Sequence, residues 1–117
     1  LTNRDPAPVR ITNIDGPSPF MLLGDHAGNR VPARLNHLGL APADLNRHIA
    51  LDIGIKALGH RLSRNLDAPF VEQRYSRLVI DCNRHPGHPE SIPSTSDGTL
   101  IPSYPSGVGR GDVRRLS

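Results

Sequence analysis

A group of polar side chains that could bind an anion surrounds one short apolar run, Leu78–Ile80. Arg77 precedes the run, and Asp81, Asn83 and Arg84 follow it. Such a run is typical of a buried strand that carries polar residues to the C-terminal edge of an α/β sheet, where ligands bind. The guanidinium of Arg84 offers a planar fork for a carboxylate, Asn83 can donate to the same group, and Asp81 can orient either. We predict Arg77, Asn83 and Arg84 as substrate-binding residues. A strand end with a solvated loop is the competing interpretation.

The segment Phe20–Leu23 repeats this design much earlier in the chain. Its apolar run stops at Gly24, and Asp25 and His26 follow in a turn of small residues. Imidazole is the commonest protein ligand of transition metals, and neighbouring carboxylates can complete or orient a site. His26 is therefore a candidate metal ligand, although a structural role explains a single histidine as well. Two strand ends with complementary chemistry favour a functional site more than either does alone.

A long amphipathic helix is predicted between these two segments. Pro42 and Asp44 suit its first turn, because proline is preorganised there and an acid is favoured near a helix N-terminus. Apolar residues then recur at helical spacing as far as about Asn65, so the helix is expected to pack against a sheet. The main stripe comprises Leu51, Ile55, Leu58, Leu62 and Leu66, and Ile49, Ile53 and Ala57 widen it.

His48 and Asp52 lie one helical turn apart at the edge of this stripe. A carboxylate beside an apolar stripe needs a cation or a hydrogen-bond donor as its partner. The functional interpretation is an acid and an imidazole directed into a site, and it places Asp52 close to His26. The alternative is a local hydrogen-bonded pair near the start of the helix.

The remaining elements predict an open α/β sheet that is partly parallel. Val9–Ile11 is predicted as a short edge strand, and Phe70–Gln73 and Leu78–Asp81 as two later strands. A short helical turn is expected around residues 33–38. Strand, helix and strand joined by short connections favour a partly parallel sheet. From His85 onward, the many prolines and small residues predict a long loop without periodicity.

Composition limits the class of protein. The 117 residues are enough for one domain with a modest core, and 36% of them are hydrophobic. The net charge of +3 is compatible with nucleic-acid binding. However, the arginines are scattered along the chain and only 3% of the residues are aromatic, so we expect no nucleic-acid partner. The single cysteine, Cys82, is expected to be a buried, inert thiol and fits a reducing compartment. With no apolar signal segment or membrane-length span, we expect a cytoplasmic protein without a membrane partner.

Three segments, in this order, resemble the N-formylglutamate amidohydrolase family. They are Asp25–Pro32, His48–Gly54 and Ser76–Arg84, and Ser91–Pro93 and Ser96–Thr99 also resemble its pattern. The resemblance covers residues 20–102. We accordingly divide the chain into residues 1–102, the N-terminal part of a domain of this family, and residues 103–117, an irregular tail.

The resemblance implies an α/β fold of the phosphorylase/hydrolase-like kind, a three-layer mixed sheet flanked by helices, here incomplete. It implies a zinc-dependent amidohydrolase related to the carboxypeptidases and aspartoacylase, which cleaves N-formyl-L-glutamate, or a related N-acyl amino acid, to formate and glutamate. Carried to matching positions, His26 becomes a zinc ligand, Asp52 a second ligand or an orienting acid, and Asn83 with Arg84 the carboxylate clamp. Relatives often have Glu at the position of Asn29.

Family members are about twice as long, and their second half supplies a further metal-binding histidine and the catalytic acid. The catalytic residues are therefore not assigned in this chain. The alternative class is a non-catalytic α/β domain, or an inactive fragment, that keeps the anion clamp. Without a second half, an apolar face and a sheet edge are expected to be exposed, which favours self-association.

Overall fold

The structure, a computed structural model that describes residues 1–102, contains a small mixed sheet. Its strands are β1 (Val9–Thr12), β2 (Leu22–Gly24) and β3 (Phe70–Gln73), in the order β1-β3-β2. β1 pairs antiparallel to β3 and β2 pairs parallel to it. The α/β class, the mixed sheet and these three predicted strands, including the edge position of β1, are confirmed.

Helix α2 (Ile55–Leu66) covers one face of the sheet and contacts β2 and β3. Gly59 faces the buried ring of Phe70 so closely that a Cβ atom there would overlap the ring. Ser63 is also buried, and its hydroxyl donates to the carbonyl of Ala68 at 2.7 Å, just beyond the end of the helix. Two small residues therefore set the distance between helix and sheet.

The prediction of one helix from Pro42 to about Asn65 is wrong. The structure has a short helix α1 (Pro42–Leu45), an irregular segment over residues 46–54, and then α2. Gly54 adopts φ +87°, a left-handed conformation that interrupts a helix. The amide of Asp52 donates to the carbonyl of His26 at 2.9 Å, so the irregular segment is tied to the end of β2. The predicted stripe is accordingly not continuous, and Ile53 is 73% exposed.

The predicted strand Leu78–Asp81 is also wrong, although its apolar residues are buried as expected. Residues 77–79 form a turn, closed by a 3.0 Å hydrogen bond from the amide of Val79 to the carbonyl of Ser76. The hydroxyl of Ser76 accepts from the amide of Leu78 and donates to the carbonyl of Ala50. A serine that bonds nearby backbone groups competes with sheet pairing, which explains the turn.

The hydrophobic core lies mainly outside the sheet. It joins the 3₁₀-helix Ala33–Gly39, which confirms the expected helical turn, to the segment 45–50, the 78–80 turn and the C-terminal part of the described chain. The predicted long loop contains a second 3₁₀-helix, Pro89–Ser91, and a hairpin of β4 (Thr95–Ser96) and β5 (Thr99–Leu100). Both hairpin turn residues, Asp97 and Gly98, have positive φ, as a tight Asp-Gly turn requires.

The face of the sheet opposite α2 is apolar and open. The strand register aligns Ile11, Val71 and Leu23 in one row across the three strands. Ile11 is 48% exposed and Leu23 is 64% exposed. The described residues thus supply the sheet and a helix on one side of it, which is two of the three expected layers. Within residues 1–102 no helix is long and apolar enough to cross a membrane.

Candidate functional site

His26 lies between two carboxylates just beyond the end of β2. Its buried ring is 2.7 Å from Asp81, measured from Nε2 to Oδ1, and 3.4 Å from Asp52, measured from Nδ1 to Oδ2. The expected proximity of Asp52 to His26 is therefore observed, although Asp52 lies in the irregular segment before α2 and not on a helix. The hydrogen bond from the Asp52 amide to the His26 carbonyl holds the two residues together.

Asp81 is buried at the centre of this arrangement. Its amide donates to the carbonyl of Ser91 at 2.8 Å, and its Oδ1 accepts from the amide of Asn83 at 3.0 Å. Burial disfavours the charged form, but the hydrogen bonds from His26 and from the Asn83 amide, together with the charge of Arg77, outweigh it and hold the pKa of Asp81 below its ordinary value. Asp81 is thus a buried carboxylate that stays ionised.

Both candidate arginines reach Asp81, and each also contacts a second carboxylate. Arg77 Nη1 lies 3.1 Å from Asp52 Oδ1 and Nη2 lies 3.8 Å from Asp81 Oδ2. Arg84 Nε lies 3.4 Å from Asp81 Oδ2, while its Nη1 lies 2.9 Å from Glu90 Oε2. A pocket of about 160 Å³, lined by Arg77, Asp81, Arg84 and Glu90 among others, opens at this point. We call it the clamp pocket.

Asn83 contributes to the site through its backbone. Its amide binds Asp81, but the residue is exposed and does not line the clamp pocket. Asn29 donates from Nδ2 to the carbonyl of Leu45 at 2.8 Å. Its amide group therefore supports the neighbouring backbone.

Two further expectations are corrected by the structure. His48 does not pair with Asp52: its Nε2 lies 3.0 Å from Asp97 Oδ2, because the helix that would have aligned His48 and Asp52 is interrupted. Cys82 is exposed, not buried, since the segment it follows is a turn and not a strand. Partial desolvation and the charges of Asp25 and Asp81 raise the pKa of its thiol, which disfavours the thiolate form.

Sequence reasoning missed Glu90 and Ser76. Glu90 lies in the long segment after Arg84, where no periodicity points to a partner, and only the fold brings it to the guanidinium. Ser76 was read as part of a motif without a role of its own. Its position two residues before an apolar run is the signal that could have indicated a turn, because a serine hydroxyl there can accept from the backbone amide.

The geometry of His26 and Asp52 fits a pair of metal ligands. Two ligands of a tetrahedral zinc ion, each at about 2.0–2.1 Å from it, lie about 3.3 Å apart. Nδ1 of His26 and Oδ2 of Asp52 are separated by 3.4 Å. Ligating histidines usually donate the other ring N–H to a carboxylate, and Asp81 occupies that position here. Among residues 1–102, however, no three His, Cys, Asp or Glu side chains are grouped to hold a metal ion.

Comparison with known proteins agrees with the α/β fold and identifies a family. The family model described as N-formylglutamate amidohydrolase matches residues 18–112, a range that continues past Pro102, where the resemblance of the motifs ended. The match covers most of the chain. The chain therefore belongs to the N-formylglutamate amidohydrolase family.

A solved structure is similar as well. The crystal structure of the gene product Atu2144 from Agrobacterium tumefaciens matches 92% of this chain with a TM-score of 0.82 and 33% sequence identity. This chain covers 43% of that protein, so it spans less than half the length of its structural relative. No curated protein matches the chain.

Acid is expected to destabilise the fold through Asp81. Because its pKa is lower in the folded chain than in the unfolded one, its ionised form stabilises the fold above the unfolded pKa, and this contribution is lost as the pH falls below about 4. Asp81→Asn should lower the free energy of unfolding at pH 7 by about 1.5–3 kcal/mol and should lose less further stability in acid. Urea unfolding between pH 7 and pH 2 measures both effects.

Asp15→Asn is the matched control, because Asp15 is an exposed carboxylate. It should leave stability at pH 7 and the acid dependence unchanged. If the Asp81→Asn chain loses stability in acid as steeply as the unmodified chain, Asp81 does not provide the acid-sensitive contribution.

Proposed function

We propose that this chain is the N-terminal part of a hydrolase that cleaves N-formyl-L-glutamate, or a related N-acyl amino acid, to formate and glutamate. The observation that carries the proposal is the convergence of His26, Arg77 and Arg84 on Asp81, in a chain that belongs to this family. Asp81 thereby holds two kinds of group in place: an imidazole for the reacting amide, and guanidinium groups for the substrate carboxylate.

The role of Arg84 is to bind a carboxylate of the substrate. A guanidinium stays charged and cannot bind a metal, so beside a hydrolytic histidine it serves as an anion clamp. Its present outer partner, Glu90, is 67% exposed, and exposed ion pairs contribute only about 0–1 kcal/mol. A substrate carboxylate can therefore displace Glu90, while Asp81 keeps the guanidinium in position. Arg77, held by Asp52, adds positive charge to the same pocket.

The role of His26 is to present one ring nitrogen to the reacting group. Asp81 binds Nε2 and so leaves Nδ1 facing Asp52. Zinc held there by His26 and Asp52 would lower the pKa of its bound water and polarise the formyl oxygen. A zinc hydrolase needs three protein ligands, so the third has to come from outside residues 1–102.

A non-catalytic anion-binding domain is the second candidate function. It is favoured by one observation: both nitrogens of His26 already face carboxylates, as an imidazolium in a purely structural ion pair would. In that case Arg84 and Arg77 bind an anion without turnover. Zinc content and activity distinguish the two candidates.

Zinc binding is expected to depend on His26. In a protein that contains this chain together with the third ligand, dialysis against zinc should leave about one equivalent bound, and His26→Ala should leave none, because half of the ligand pair that this chain supplies is removed. Metal analysis by mass spectrometry measures this. His48→Ala, which changes a histidine paired with Asp97 on the surface, is the control and should retain zinc. Equal zinc content in the His26→Ala and unmodified chains would falsify the ligand assignment, and absence of zinc from all three favours the non-catalytic candidate.

Arg84→Lys tests the clamp. Lysine keeps the charge but lacks the fork, so in the intact enzyme the substitution should weaken transition-state binding by about 1.5–3 kcal/mol and lower kcat/KM for N-formylglutamate by roughly 10- to 150-fold. An analogue without the relevant carboxylate should be affected little. Arg61→Lys, an exposed position on α2, is the control and should change neither rate. Equal losses on both substrates would show that Arg84 is not the clamp.

We propose that the open face of the sheet pairs with a second copy of the chain. Ile11, Val71 and Leu23 form an apolar row without cover in residues 1–102, and β2 is an edge strand. Exposed apolar faces and free strand edges promote association. Ile11 and Leu23 stay exposed, so no other part of residues 1–102 covers this face.

The double variant Ile11→Thr, Leu23→Thr should shift the chain towards the monomer in sedimentation velocity experiments over a range of concentrations. Threonine is β-branched and suits a strand, but it has less apolar area than isoleucine or leucine. Leu100→Thr, at a residue that is 68% exposed on the separate hairpin, is the control. Self-association that is equally strong in the double variant would place the contact elsewhere.

A further inference from the structure

A second pocket, of about 350 Å³, lies where β2 and β3 end and shares no lining residue with the clamp pocket. Four cationic side chains line it: Arg10, Arg30, Lys56 and Arg74. Its acidic lining residue is Glu72. We call it the basic pocket. Its cations come from β1, from the segment after His26, from the first turn of α2 and from the residue that follows β3. Four separate segments therefore bring positive charge to one cavity.

The single carboxylate of the basic pocket is already neutralised. Glu72 is 3% exposed, and its Oε1 accepts from Arg10 Nη2 at 2.8 Å, across the paired strands β1 and β3. His60, on α2, places Nε2 2.9 Å from Oε2 of the same carboxylate. A buried carboxylate with these two partners holds Arg10 in place and contributes little negative charge to the cavity.

The other three cations have no such partner. Among residues 1–102, Arg30, Lys56 and Arg74 form no ion pair, whereas Arg77 and Arg84 of the clamp pocket each contact two carboxylates. Like charges collected in one concave site repel each other, and a bound anion relieves that repulsion. An excess of three positive charges favours a doubly charged ligand over a singly charged one.

Two of these arginines are fixed by the backbone. The amide of Arg30 donates to the carbonyl of Arg74 at 3.1 Å, and the amide of Ser76 donates to the carbonyl of Arg30 at 2.8 Å. Gly28 lies so close to the backbone of Arg74 that a Cβ atom would overlap the carbonyl group. The segment that carries Arg30 is thus packed directly on the segment that carries Arg74, so a ligand has to order the two side chains but not the backbone beneath them.

We propose that the basic pocket is a second ligand site, which binds a small organic dianion carrying a phosphate or two carboxylates. Guanidinium forks match both groups with paired hydrogen bonds. Ala27, the residue directly after His26, lines the basic pocket. A ligand bound in the basic pocket therefore lies against the segment that carries His26. The proposal does not depend on the hydrolase function, because it rests on residues that the proposed reaction does not use.

The test measures binding of two probes, inorganic phosphate and glutarate, to the full 117-residue chain by isothermal titration calorimetry at constant ionic strength. At least one probe should bind saturably at one site, and acetate, a monoanion, should bind at least tenfold more weakly. Lys56→Gln should weaken the bound probe about tenfold, the scale of one lost charged hydrogen bond. Lys56 is exposed on α2, so this variant leaves the core intact, and Arg74→Gln provides a second, independent variant.

Arg61→Gln removes the same charge from an exposed position on α2 that does not line the pocket, and it should leave affinity unchanged. Phosphate binding without glutarate binding assigns the site to phosphate esters, and the reverse assigns it to dicarboxylates. The proposal is overturned if neither probe binds saturably, or if Arg61→Gln weakens binding as much as Lys56→Gln. It is also overturned if Arg84→Gln, in the clamp pocket, abolishes binding while both basic-pocket variants keep it.

Discussion

The hydrogen bond between His26 and the buried carboxylate of Asp81 is the contact on which the rest of the site depends. A buried carboxylate is tolerated only when donors and cations surround it. Here the imidazole, the amide of Asn83 and the two guanidinium groups of Arg77 and Arg84 meet that requirement. The need to satisfy one charge therefore gathers the imidazole and the arginines at one place. Whether or not the cluster is catalytic, its arrangement follows from the cost of removing the Asp81 carboxylate from water.

The types of residue in the site were readable from the sequence, but their pairing was not. The runs that end in Asp25 and His26, and in Asp81 and Arg84, correctly indicated polar residues that lie close together, although the second run is a turn and not a strand. That Asp81 binds His26 could not be predicted, because the choice between Asp52 and Asp81 as its closer partner depends on the turn that follows Ser76. The hydrogen bonds of the Ser76 hydroxyl determine the geometry of this turn, and the periodicity of apolar residues carries no information about them.

The secondary-structure elements show the same difference: local sequence patterns predicted some of them, and tertiary contacts determined the others. Short apolar or alternating runs predicted β1, β2 and β3, and these strands pair with one another inside the described chain. The predicted long helix is interrupted at Gly54, which has a left-handed φ. The nearby hydrogen bond from Asp52 to His26 also interrupts the apolar stripe, which is continuous in the sequence. Leu58, on that stripe, is 50% exposed, because Gly59 and Ser63 form the side of α2 that faces the sheet. The close packing of α2 against Phe70 therefore determined which side of the helix is buried, against the prediction from apolar spacing.

The separation of the site residues along the chain has a kinetic consequence. His26 and Asp81 are 55 positions apart, and Arg77 and Asp52 are 25 apart. Contacts between distant positions require closure of long loops, whose entropy cost slows folding and delays such contacts relative to local ones. The β4–β5 hairpin and α2 involve only neighbouring residues and can form early, whereas the imidazole meets its carboxylate only after the intervening chain has been enclosed. We therefore expect the site, like the pairing of β1 with β3, to form after these local elements.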